Sequence, residues 1–108
     1  MIIVDYTGCK GAHMIDIFDQ ARELVVDEGK PVLILNLFDN KTFISPNFMR
    51  HVEGELPKVQ HLVIKQCIVG ISTVQQWILK GVNLWHSPPI SHFETQEEAL
   101  DFLTQSDS

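Results

Sequence analysis

The chain has 108 residues, 44% hydrophobic and 20% charged, which is the make-up of one globular domain able to bury about two-thirds of its unfolded surface. Fourteen acidic residues against eight basic leave a net charge of −6. With the basic residues scattered, that balance argues against nucleic acid and against anionic lipid as partners. Two distant cysteines, Cys9 and Cys67, suit neither a disulfide framework nor a thiolate metal centre.

No apolar run reaches the ~18 residues of a membrane span, and Met1–Asp5 lacks the basic start and long apolar core of a signal peptide. A cytoplasmic location without a transmembrane segment is therefore expected.

Ile2–Tyr6 is short, β-branched and strand-like, and Thr7–Gly11 is a glycine-containing turn. From Ala12 to Glu28, Met14, Ile17, Phe18, Ala21, Leu24 and Val25 recur at helical spacing, with Gly29 as a left-handed C-cap and Pro31 as a stop. Val32–Phe38 is apolar without alternation, the mark of a strand buried on both faces in a parallel sheet. Asn36 interrupts it, placed either beside a site near the strand's end or as a cap for a backbone group. Ser45 reads as an N-cap with Pro46 at the first helical position; that helix runs to about Glu55 and is ended by Pro57.

Leu62–Trp85 is the longest unit, a strand that breaks at Gly70-Ile71-Ser72 into a helix capped by Ser72. Val74, Trp77, Ile78, Gly81, Val82 and Trp85 form the expected inner stripe of that helix, and Gly81 suggests a close packing contact. Leu79 and Leu84 fall off the stripe. After the His86–Pro89 loop, Ile90–Phe93 is a short last strand. Thr95 and Glu98 form a capping box for a helix with Ala99, Leu100, Phe102 and Leu103 inward. Residues 1–104 make one domain and 105–108 a polar tail. The order is strand–helix four times, which predicts an α/β fold with a small, mainly parallel four-stranded sheet and four helices.

No catalytic, Walker-type or Gly-x-Gly-x-x-Gly string is present, so an enzyme is not expected and no cofactor is implied. Ligands of open α/β sheets bind beyond the carboxyl ends of the strands. Gly8, Asn36, Asp39, Thr42, Ser45, Gly70 and Ser72 all map to that end as candidate ligand or partner residues. Leu79 and Trp85 are the candidates for exposed members of an apolar partner patch. Ser45 and Thr42 are candidate phosphorylation sites at a helix start, with capping alone the simpler role for Ser45. His13 with Asp16, and His51 with Glu55, have spacings suited to a shared metal or to a polar pair; no third ligand is identifiable, and exposed polar residues are the simpler reading. Cys9 in a glycine-rich turn gives little support for a nucleophile.

Four stretches together resemble STAS domains (sulfate transporter and anti-sigma-factor antagonist), in their short SpoIIAA-like branch. They are Val4–Gly8; Pro31–Asn36 followed by Thr42–Pro46; Val69-Gly70-Ile71-Ser72; and Phe93–Leu103. In the anti-sigma antagonists a partner kinase phosphorylates an Asp-Ser-Ser-Gly-like motif. In the comparable stretch here, Ser45 stands where that family has Asp, and Pro46-Asn47 where it has serines. The resemblance implies a non-enzymatic regulatory or protein-interaction module with an unidentified protein partner and a possible homodimer. The alternative is a small-molecule domain binding a nucleotide, an anion or an apolar ligand at the strand ends or beside the third helix.

Overall fold

The computed structural model describes residues 1–87 and 89–105; Pro88 of the expected loop and most of the expected polar tail lie outside them. The elements are β1 (Ile2–Asp5), α1 (Ala12–Glu28), β2 (Val32–Leu37), α2 (Pro46–Val59), a 3-10 turn (Gln60–Leu62), β3 (Val63–Val69), α3 (Thr73–Asn83), β4 (Ser91–Phe93) and α4 (Gln96–Thr104). The four strands form one sheet in the order β1-β2-β3-β4, every pair parallel. The α/β class and the strand–helix repeat are thus as the sequence predicts.

Each crossover advances one place across the sheet in the same direction. With right-handed crossovers this puts α1, α2 and α3 on one face. The other face is covered by α4, whose Ala99 and Leu103 pack on Leu35, Cys67 and Val69. Lys65 Nζ crosses to the carbonyls of Phe102 and Gln105 at 3.3 and 2.8 Å, placing a cation at the negative end of α4.

The helix ends follow their sequence signals. Gly29 is left-handed (φ 69°) and closes α1; Ser45 Oγ accepts the Phe48 N–H, and Thr95 Oγ1 accepts the Glu98 N–H, though Glu98 Oε1 takes the Thr95 hydroxyl rather than its backbone N–H, so the expected capping box is half formed. Ser72 forms a full capping box with Gln75, a pairing the sequence reading missed. Pro57 does not end α2, which runs on to Val59. Proline removes one late hydrogen bond, and burial of Leu56 and Val59 carries the helix past it. Leu24 and Leu100 are exposed rather than inward.

The largest difference is the orientation of α3. Its inner stripe is Gln75, Ile78, Leu79 and Val82, whereas Val74, Trp77 and Leu84 are 71%, 67% and 89% exposed. Leu79, expected at the surface, is buried; Trp77 and Val74, expected inside, are not. Gly81 is exposed, with nothing within 4 Å of an added Cβ, so no close packing contact explains it.

Candidate functional site

Between the sheet and the three helices of the larger face lies a cavity of about 120 Å³. Side chains on one sheet face supply its floor: Val4 from β1, Ile34 and Asn36 from β2, and Gln66 and Ile68 from β3, with Val63 joining them through a register irregularity at the start of β3. Phe18, Val25, Phe48, Val52 and Leu56 from α1 and α2 form one wall, and Ile78, Leu79 and Val82 of α3 form the roof. At the carboxyl end of the strands Tyr6 packs tilted against Phe38 (centroids 5.0 Å apart) and edge-to-face against Phe48 (5.8 Å). The lining is almost wholly apolar. The void does not come from an expanded fold, because the radius of gyration, 13.0 Å, matches the ~13 Å of a compact chain this long.

The roof is held by polar clasps at its ends. Gln75 Nε2 donates to the Thr42 carbonyl at 2.9 Å while Gln75 Oε1 accepts the Ser72 N–H. Asn83 makes two hydrogen bonds with the backbone of Ile90, at 2.9 and 2.8 Å. His86 Nδ1 lies 3.1 Å from Gln60 Oε1. Burial holds the His86 imidazole below its ordinary pKa. Ile78, Leu79 and Val82 of the roof lie between these clasps.

Two polar side chains sit in the floor. Asn36 Nδ2 donates to the Cys67 carbonyl at 3.1 Å and to Gln66 Oε1 at 2.9 Å. A carbonyl only accepts, so the Cys67 contact fixes which end of the Asn36 amide faces Gln66. That in turn fixes Gln66 with its oxygen toward Asn36 and its Nε2 turned away. Gln66 is only 7% exposed, and its Nε2 has no hydrogen-bond partner among the described residues. An unpaired buried donor costs about 1–3 kcal/mol. Asn36 is a candidate from the sequence as the break in an apolar strand; Gln66 breaks β3 in the same way but is not among the sequence candidates, because Lys65 beside it makes the pair read as an ordinary polar interruption.

The other candidates are structural in their contacts. Asp39 Oδ1 accepts the backbone N–H groups of Gly8, Lys41 and Thr42, each at 3.0 Å. These donors, led by Gly8, hold the Asp39 carboxyl below the usual carboxylate range. Thr42 Oγ1 donates to the Tyr6 carbonyl at 2.8 Å and is buried, so its hydroxyl is closed to a kinase. Ser45 and Ser72 cap their helices. Gly70 has φ +83°, and a Cβ there would lie 2.1 Å from the Phe38 carbonyl oxygen, so only glycine fits the step from β3 to α3. The structure thus joins Gly8, Asp39 and Thr42 in one backbone-binding knot, and sets Asn36 and Leu79 apart in the cavity. Trp85 lies at the surface beside His86.

His13 and Asp16 are both exposed on α1, whereas His51 and Glu55 resolve into links between helices. His51 Nε2 contacts Asp19 Oδ1 at 2.6 Å, and Arg22 contacts Glu55 at 2.5 Å and Asp19 at 3.7 Å. His51 and Glu55 therefore each pair with α1 rather than with one another. Among the described residues no group of three His, Cys, Asp or Glu is arranged to hold a metal ion, and no helix is long and apolar enough to cross a membrane. Burial pushes the Cys67 thiol up to about 11, the behaviour of a core residue rather than a nucleophile. Comparisons of the chain with protein-family models, with curated proteins and with solved structures return no match.

Proposed function

We propose that this chain is a small-molecule binding domain whose ligand is apolar and sits beneath α3. The observation that carries it is the apolar cavity of about 120 Å³ between the sheet and α1, α2 and α3. Natural interiors hold few voids larger than a water, and an apolar cavity of about 150 Å³ in another protein takes up benzene. A thermal-shift screen with benzene-sized hydrocarbons and ketones tests this. A ligand at a hundred times its dissociation constant raises stability by about 2.7 kcal/mol, and a flat screen removes the proposal.

A second reading takes the chain as a STAS-like regulatory module, acting in the cytoplasm on a protein partner or a second copy of itself. Its support is the outward apolar stripe of α3, with Val74, Trp77 and Leu84 in water, since contiguous exposed apolar surface marks interaction sites. Trp77→Ser should abolish partner capture, and Ser45→Asp, at the start of α2, should alter it. Identical partner recovery by the wild type and both variants counts against this reading.

A further inference from the structure

We infer that the cavity selects a compact neutral molecule carrying one hydrogen-bond acceptor, which it seats on Gln66 Nε2. This rests on the apolar-ligand reading above and adds the ligand's chemistry to it. The volume sets the size: about 120 Å³ admits a body of about six non-hydrogen atoms, by comparison with the cavity that holds benzene. The apolar lining sets the character of that body.

Gln66 sets the polar requirement. Side chains alternate along β3: Cys67 and Val69 point to α4, so Gln66 and Ile68 point to the opposite face, where both line the cavity. Both donor directions of the Asn36 amide are taken by Gln66 Oε1 and the Cys67 carbonyl. The Gln75 amide is engaged at both ends, by Thr42 and by Ser72. Gln66 is the lining residue whose amide nitrogen, Nε2, is buried without a partner among the described residues, so a small turn of the amide is needed to present it to a ligand; the other such atom, His86 Nε2, belongs to a residue outside the lining. A carbonyl or ether oxygen at about 2.9 Å would satisfy Gln66.

Charge sets the last limit. Among the described lining residues Arg22 is the one full positive charge, and it is held by Glu55 and Asp19. A carboxylate or phosphate would give up its hydration for neutral donors alone, the Gln66 amide N–H and the Tyr6 hydroxyl of the lining, which is far too little to offset the cost. Ketones, aldehydes, esters and cyclic ethers fit; fatty acids and phosphorylated metabolites do not.

The test uses the full chain with cyclopentanone, methylcyclopentane and cyclopentanecarboxylate, in the wild type and in Gln66→Met, with affinities and the Gln66 side-chain amide resonance followed by NMR. Cyclopentanone should shift that resonance and methylcyclopentane should not. Gln66→Met should lower the affinity for the ketone relative to the hydrocarbon about tenfold, the worth of one neutral hydrogen bond. The carboxylate should not bind at concentrations that saturate with the ketone. If both neutral ligands bind but the amide stays unmoved and the affinity ratio is unchanged, the acceptor requirement is overturned while the cavity proposal survives. Carboxylate binding as tight as ketone binding overturns the neutral-ligand requirement. Binding by none of the three removes the cavity proposal itself. Should Gln66→Met fail to fold, the wild-type amide resonance decides alone.

Discussion

On the α4 side of the sheet Cys67 and Ala99 have no solvent exposure, and the Cys67 thiol reaches the Ala99 carbonyl at 3.9 Å. On the other side three longer helices cover the same strands and leave room for a ligand. A shortage of apolar side chains does not explain the contrast, because α3 carries Val74 and Trp77 outward while Gln75 and Val82 face the void. Residues 74 and 75 differ by about 100° around a helix, so turning α3 by one residue would bring the tryptophan stripe over the sheet. What holds the observed orientation is the set of polar clasps at Thr42, Ile90 and Gln60. The tight side is fixed by shape and the open side by hydrogen bonds at its ends.

The sharpest way to break this arrangement is at Gly70, where β3 hands over to α3. In Gly70→Ala the new Cβ meets the Phe38 carbonyl oxygen at 2.1 Å, in a left-handed conformation. Backbone must move, and the loss should reach about 4 kcal/mol or more, the size reserved for such strain. Urea unfolding measures it; a loss below about 1 kcal/mol would show that the junction is not rigid and that α3 is not held in one place.

The two sides can next be compared by adding volume to each. Ala99→Leu forces three carbons into the fully buried contact with Cys67 and should cost about 3 kcal/mol. Val82→Leu adds one methylene to the roof of the cavity and should be neutral or gain up to about 0.8 kcal/mol, while weakening ligand uptake. Equal losses from both substitutions, read by denaturant midpoint, would mean that the void is not available space.

The same contrast explains what was legible in the sequence. The period-3.6 and unbroken-strand patterns of α1, β2 and β3 gave the element order, and Ser45, Gly29 and Thr95 marked helix ends through local chemistry. The facing of α3 was not legible, since it has two apolar stripes and the heavier one, with both tryptophans, is the natural choice for the core. The clasps that decide otherwise join residues distant in sequence, Gln75 to Thr42 and His86 to Gln60. The Asn36–Gln66 pair was half visible. Each amide breaks an apolar strand, but only the parallel register, Ile34 beside Gln66 and Asn36 beside Ile68, makes them diagonal neighbours.

The smallest expected effect concerns pH at one end of the roof. His86 is buried, and desolvation keeps it neutral below its ordinary pKa of about 6.5. The unfolded chain takes up a proton there first as pH falls, so the unfolded state binds more protons and stability drops. The contribution is therefore full above about pH 6.5 and is lost as pH falls from there through the lowered folded-state value. His86→Leu removes this term together with the clasp to Gln60. The variant should be less stable than the wild type at pH 8, and the gap should narrow toward pH 5. A gap that stays constant or widens on acidification would mean that His86 is protonated in the folded state and that this end of α3 is open to water.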